Sequence, residues 1–301
     1  MVAVIETTGL TKYYGPAPGI IDLDLEVREG EVFGFLGPNG AGKSTTIRTL
    51  LNFLFATSGT ATVLGRDIVK DSVEIRRRTG YLPGDLAMYD AMTAREFLTY
   101  FANLRRVEAS ARMAELADRF DLDLDRKIKD YSTGNRQKVG VVNAFMHDPE
   151  LYILDEPTSG LDPLLQQEFQ ELVLEVQAAG ATVFLSSHIL PEVERVADRV
   201  GIVRKGRLIA VDTVEAFKAQ AHRSVVLQFN DPVDPHVFSS IDNVTDVDVR
   251  NDGTVLALAV MGDMDAVIKA AGNHDAVSVS TRSGELEEVF LSYYAGTEDA
   301  P

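Results

Sequence analysis

Nine residues, Gly37-Pro38-Asn39-Gly40-Ala41-Gly42-Lys43-Ser44-Thr45, fit the pattern G-x-x-x-x-G-K-[ST]. They stand between an apolar strand-like run, Glu31 to Leu36, and a helix-like stretch, Lys43 to Leu51. In that setting the pattern is a phosphate cradle. Glycines at 37, 40 and 42 let the backbone wrap a polyphosphate with its N–H groups turned inward. Lys43 reaches the terminal phosphates and the Ser44 hydroxyl suits magnesium. The positive end of the following helix adds to the attraction for anions. A chance glycine-rich turn is the alternative, and the complete pattern between strand and helix argues against it. The expectation is a nucleotide-binding chain.

A second pair of residues narrows the chemistry. The run Leu151 to Pro157, LYILDEP, places Asp155 and Glu156 at the end of a short apolar strand, where α/β folds bind ligands. Asp155 suits magnesium held through a water, and Glu156 suits taking a proton from a water that attacks the γ-phosphate. Alone, two acids leaving a strand would read equally well as a solvated turn. Beside a phosphate loop they read as a hydrolytic site.

The elements that must position these groups alternate between strands and helices. Residues 1–35 read as short strands with a turn at Gly15 to Gly19. A polar, less regular stretch follows the first helix, then Gly80 to Pro83. Over 93–120 the spacing is helical, with Phe97, Leu98, Phe101 and Leu104 on one face and Met113, Leu116 and Phe120 continuing it. Ser132 to Phe145 predicts a helix, Leu151 to Leu154 a strand buried on both faces, 163–179 a helix and Ala181 to Leu185 another strand. Strands near 200–204 and 207–211 close a first domain, placed at 1–220 with a helical subdomain at about 84–145. From 221 to 301 the pattern changes. Strands at 224–229, 244–249, 254–260 and 276–280 alternate with helices at 234–240, 263–271 and 285–294. Asn251-Asp252-Gly253 supplies a tight-turn signal. The order βαββαβ predicts a small α+β, ferredoxin-like domain. It carries no nucleotide pattern or metal cluster of its own.

Composition sets bounds. With 301 residues, 45% of them hydrophobic and 25% charged, the chain has material for one large and one small domain. It has no cysteine, hence no disulfide, thiolate metal site or thiol nucleophile. No apolar run approaches a membrane span, and residues 1–10 lack the look of a leader, so a cytoplasmic place is expected. The net charge is −17, and residues 231–301 hold fourteen acids against three bases. That balance disfavours nucleic acid and anionic lipid as partners and reads most simply as solubility.

Three further stretches complete the set: Tyr131 to Lys138 (YSTGNRQK), Ser159 to Asp162 (SGLD), and Ser187-His188 after the strand at 181–185. With these in order, residues 4–215 resemble the ATP-binding subunit of an ABC transporter. The fold implied is the P-loop ATPase domain of that family. Gly37 to Thr45 resembles Walker A and Asp155-Glu156 resembles Walker B, which implies Glu156 as catalytic base. His188 matches the switch histidine, and Asp162 the loop that links paired sites. Tyr14 stands where the family stacks an aromatic on adenine; Tyr13 is the less suited neighbour, and a core tyrosine is the alternative. Ser132, Gly134 and Asn135 fall on the signature LSGGQ, although Tyr131, Thr133 and Asn135 depart from it. A second departure is Gly84, where the family has glutamine or glutamate; Asp85, one residue on, offers an oxygen in its place.

The resemblance implies ATP and Mg²⁺ as ligands and a head-to-tail dimer, homodimeric or heterodimeric, in which each signature meets the γ-phosphate held by the other chain. Catalysis then falls to Glu156, His188 and Lys43, with Ser44 and Asp155 as metal ligands. It also implies a separate membrane permease, contacted through a groove at roughly 84–105, and a peripheral place on the cytoplasmic face of the cell membrane. The signature form and the run Leu286 to Leu291 are similar to antibiotic exporters of the daunorubicin-resistance type. The C-terminal domain reads as a dimerisation or regulatory unit, with a passive appendage as the equal alternative. The competing class is a soluble ABC ATPase with a regulatory or translation-related role. Against it stand a single ATPase domain, only 86 residues between Thr45 and Ser132 with no sustained heptads, and the acidic balance.

Overall fold

The N-terminal residues, expected as short strands, form two strands of twelve residues each, Ala3–Tyr14 (β1) and Ala17–Arg28 (β2). They pair antiparallel, and four register shifts along β1 let so long a ribbon bend. Alternate positions Leu23, Leu25 and Val27 are buried while their neighbours face outward, the period-two signature of a half-buried sheet. The computed structural model describes residues 2–220, 222–282, 290 and 293.

Next come Val32–Leu36 (β3) and the helix Lys43–Leu50 (α1). The stretch expected to be irregular instead holds Ser58–Val63 (β4), Arg66–Asp67 (β5) and the helix Ser72–Arg77 (α2). Its polar composition hid β4, which borrows its order from pairing with β1. Thr79–Leu82 (β6) leads to the helices Ala94–Arg105 (α3) and Ser110–Arg119 (α4). The apolar spacing over 93–120 is therefore two helices. Thr93 and Glu96 form a reciprocal capping box at the start of α3, and Arg106, at φ 59°, ends it. Phe97 and Leu98 are buried as expected, but Leu104 is 60% exposed, because the helix stops one residue later and its face points outward.

The helix Thr133–Phe145 (α5) follows, then Leu151–Asp155 (β7), the helix Pro163–Ala178 (α6) and Thr182–Ser187 (β8). Leu190–Val196 (α7), Arg199–Arg204 (β9) and Arg207–Thr213 (β10) complete this part. One sheet runs β2-β1-β4-β5; the other runs β10-β9-β3-β8-β7-β6, with its five strands from β9 to β6 parallel. Every residue of β3, β7 and β8 is buried, as parallel strands covered on both faces must be. The core between the sheets is built on Phe184, 5.9 Å from Phe33 and 5.3 Å from Phe35 between ring centroids, with α1 contributing Ile47 and Leu50. Truncating Phe184 to alanine would cost about 3–5 kcal/mol of stability.

The chain divides into two compact units between Val211 and Asp212. In the second, the helix Val214–Gln220 (α8) precedes His222–Phe229 (β11), the short helix His236–Ser239 (α9) and Val244–Arg250 (β12). Val255–Met261 (β13), the helix Asp265–Asn273 (α10) and Ala276–Arg282 (β14) follow. The sheet order is β12-β13-β11-β14 with all neighbours antiparallel. Asn251, Asp252 and Gly253 all take positive φ, which is why turn-forming residues stand there. Leu256, Leu258 and Val260 alternate into a core shared with Phe238 and Val267. The helix expected at 285–294, with the run Leu286 to Leu291, falls outside the described residues apart from Phe290 and Tyr293.

Candidate active site

Three strands that lie side by side, β3, β8 and β7, end at the same edge of the parallel sheet. Their carboxyl ends launch the phosphate loop, the loop carrying His188 and the turn carrying Glu156. The topology alone therefore brings together residues more than a hundred positions apart.

The phosphate loop is shaped by its glycines. Gly42 caps α1 at φ 113°, and a Cβ there would meet the Gly19 carbonyl at 2.6 Å. A Cβ on Gly37 would strike the Val203 carbonyl at 2.5 Å, so neither position tolerates a side chain without displacement. Lys43 is buried. Its Nζ donates to the Gly37 carbonyl at 2.6 Å and the Pro38 carbonyl at 3.3 Å, drawing the loop around the ammonium. The loop lines a cavity of about 270 Å³ together with Tyr14, Gly19 and Glu156. Asn39, Gly40, Ser44 and Thr45 face that space, whereas Pro38 and the buried Ala41 support the loop, Ala41 N–H donating to the Pro38 carbonyl at 3.1 Å.

Tyr14 is partly exposed at the mouth. Its hydroxyl is 3.3 Å from Thr45 Oγ1, its ring lies against Gly19, and Lys12 Nζ sits 5.5 Å from the ring centroid. A core tyrosine would not be 47% exposed. Tyr13 is absent from the cavity lining.

Glu156 holds the centre. Its Oε1 lies 3.0 Å from Lys43 Nζ, an ion pair in which no hydrogen bond is aligned on that oxygen. Its Oε2 lies 2.8 Å from His188 Nδ1. An ionised carboxylate only accepts, so the proton of this contact sits on Nδ1. Asp155 is buried and its Oδ1 accepts from Ser186 Oγ at 2.6 Å. Nearby, burial pushes the Tyr81 phenol up to about 12, and the Asp155 charge adds to the shift, so Tyr81 remains protonated at neutral pH. Gly84 follows β6, and a Cβ there would be 3.3 Å from Asp155 Oδ2. Asp85 is exposed and does not line the cavity.

The signature residues lie elsewhere. Ser132 caps α5 and its Oγ accepts from Asn135 N–H at 3.3 Å; Ser132 itself is exposed. A Cβ on Gly134 would meet the Gly160 carbonyl at 2.6 Å, so glycine is what allows the loop 159–162 to approach. Tyr131, in the place of the family's leucine, is buried with its hydroxyl donating to the Asp123 carbonyl. Asp162 caps α6, accepting from Leu164 and Leu165 N–H at 3.0 and 3.1 Å. None of Ser132, Gly134 or Asn135 lines the phosphate cavity.

Sequence reasoning missed Ser186, Gln137, Thr158 and Glu192. Gln137 is buried and its Nε2 donates to the Pro157 carbonyl at 2.7 Å. A hydroxyl at a strand end or an amide inside a helix carries no spacing signal; only the fold shows whom it touches.

The sequence pattern of the family described as ABC transporter matches residues 20–159. The bacitracin transport ATP-binding protein BcrA of Bacillus licheniformis is 32% identical over 302 residues, spanning 98% of this chain and 99% of that protein. The chain belongs to the ABC transporter family of ATP-binding proteins. The daunorubicin/doxorubicin resistance ATP-binding protein DrrA of Streptomyces peucetius is 35% identical over 304 residues, 96% of this chain and 91% of that one. Among solved structures, an ATP-binding subunit of an ABC transporter superposes with TM-score 0.68 at 32% identity, over 71% of this chain and 92% of that chain. An ATP-binding cassette solved as a dimer with ADP and Pi shares the fold at TM-score 0.62 and 21% identity, over 70% of this chain and 98% of that one.

As an ABC ATP-binding protein it is an ATPase that takes ATP and Mg²⁺. Among the described residues no cluster of three or more His, Cys, Asp or Glu could hold a metal by itself. The donor set nevertheless fits magnesium, which takes one or two protein oxygens and draws the rest from phosphates and water. The oxygens expected to serve it are the Ser44 hydroxyl on the phosphate loop and the Asp155 carboxylate two strands away, whose Oδ1 already accepts from Ser186.

Proposed function

We propose that this chain powers export of a drug- or antibiotic-like small molecule through a separate permease, by closing on ATP as a dimer and reopening after hydrolysis. The observation that carries the chemistry is Glu156, held between Lys43 and His188 at the strand ends. Polyphosphate binding exchanges the Glu156 partner of Lys43 for phosphate oxygens and frees the carboxylate. Magnesium, held by Ser44 and Asp155, would offset charge on the transferring phosphoryl group. Glu156 takes a proton from the water whose oxygen attacks the γ-phosphorus; the bond to the β-phosphate oxygen breaks and ADP leaves. His188 orients that water and fixes the carboxylate through Oε2. Tyr14 stacks on adenine.

Ser132, Gly134 and Asn135 serve the γ-phosphate held by a second chain, homologous or identical. Their position outside the phosphate cavity supports that reading, because within one chain they have no phosphate to meet. A cavity of about 300 Å³ at the junction of β6, the residues after it and α3 supports permease docking. It is walled by Phe53, Tyr81, Leu86, Met88, Phe97 and Phe101, an apolar seat for a short helix. No helix among the described residues is long and apolar enough to cross a membrane, so attachment to the cytoplasmic face would run through that seat. The export reading is drawn from the resistance and antibiotic-transport relatives that match over nearly the whole chain. The unit from Asp212 onward serves dimerisation or regulation.

The test is an affinity capture of tagged Glu156→Gln protein from detergent-solubilised native membranes with ATP. A stoichiometric multi-span partner is the expected result. Ribosomal or other soluble partners without one would overturn export and favour a soluble regulatory ATPase.

A further inference from the structure

Glu156 leaves β7 at φ 50°, a left-handed conformation that a residue with a side chain holds only where its surroundings over-determine it. Those surroundings can be traced. Its N–H is shared between Ser186 O at 3.1 Å and Ser186 Oγ at 3.2 Å. Gln137 Nε2 holds the Pro157 carbonyl, and Ser159 N–H donates back to the Glu156 carbonyl at 3.2 Å. One restraint comes from a different direction. Thr158, buried in the same turn, donates its hydroxyl to Glu192 Oε2.

Glu192 belongs to the first turn of α7, four residues after His188. Its carboxyl thus joins the two segments whose separation sets the 2.8 Å contact between Glu156 Oε2 and His188 Nδ1. The position is an expensive one for a carboxyl with no task. Burial pushes it up from the usual range, the Thr158 hydroxyl pulls it back, the Glu156 charge pushes it up again and His188 opposes that.

We propose that Glu192 is a positioning residue for ATP hydrolysis: by accepting the Thr158 hydroxyl it pins the turn that carries Glu156 to the helix that follows His188. It touches neither nucleotide nor water in this reading. Its effect passes through Thr158 to the backbone of the base, and the side-chain oxygen it offers matters more than its charge.

The inference rests on Glu156 as the base, so the experiment measures both. Steady-state hydrolysis of Mg·ATP by the purified full chain is followed for the parent, Glu156→Gln, Glu192→Ala, Glu192→Gln, Thr158→Val and Thr158→Ser. Glu192→Ala and Thr158→Val are expected to lower kcat about 10- to 100-fold with KM for ATP held, as misplacement of a reacting group does. Glu192→Gln, whose amide oxygen still accepts, and Thr158→Ser, which still donates, are expected to recover most of the rate. The double variant Glu192→Ala/Thr158→Val should be no slower than either single one. If Glu192→Ala fails to fold, Thr158→Val tests the same bond while keeping the branched side-chain shape. An inactive Glu156→Gln beside a Glu192→Ala or Thr158→Val of parental kcat overturns the positioning role alone. So does a Glu192→Gln as slow as the alanine variant. A Glu156→Gln that hydrolyses at the parent rate removes the base, and the proposal with it.

Discussion

The start of α1 and the start of α5 are both helix N-termini, ends whose backbone amides suit phosphate, yet they have different neighbours. At α1 the cap is Gly42 and the surroundings are concave: Lys43, Tyr14 and Glu156 line one cavity, with His188 on the far side of the carboxylate. At α5 the cap is Ser132, exposed, and what approaches is the Gly160 loop rather than a catalytic acid. One helix end lines a pocket that holds a carboxylate; the other does not. The difference teaches that phosphate affinity alone does not make an active site. A carboxylate must also be held where a water can stand.

Replacing the carboxylate tests that contrast most severely. Glu156→Gln should lower hydrolysis by ~10²–10⁴ while ATP affinity in equilibrium binding stays near the parent value. Parental turnover would mean the pocket has another base. Lys43→Ala should act on binding instead. Losing a buried, charge-assisted donor costs about 1.5–3 kcal/mol, roughly 10- to 100-fold in Kd for ATP by titration. Gly134→Ala addresses the other helix end. Its Cβ would press on the Gly160 carbonyl, so a loss of about 1–3 kcal/mol in thermal unfolding is expected. Hydrolysis should fall with it, but ATP binding by dilute single chains should not; a shifted Kd would mean the two helix ends share one pocket. Tyr14→Phe is the mildest change. It removes only the 3.3 Å contact to Thr45 and should move ATP affinity by about 0.5–1.5 kcal/mol at most. A larger effect would make the hydroxyl, and not the ring, the adenine contact.

Much of this was legible before the fold was known. The phosphate loop, the paired acids and the apolar strands β3, β7 and β8 are local patterns, and local patterns survive in a sequence. The errors arose where order is lent by a partner. β4 is polar along most of its length and is a strand because β1 lies beside it. The run over 93–120 kept its apolar period across a break at Arg106, since periodicity does not register where a helix caps.

By itself the sequence determined which groups could do chemistry and the class of ligand they take, because those depend on residue type at short spacing. Tertiary structure decided who meets whom. Strand order β3-β8-β7 set Lys43 and His188 each in contact with Glu156, Lys43 from more than a hundred residues away, and left Ser132 and Gly134 outside that pocket. It also supplied Ser186, Gln137 and Glu192, ordinary polar residues whose value lies wholly in their partners. Hydrogen bonds and ion pairs act over a few ångströms of space, and distance along the chain does not measure that.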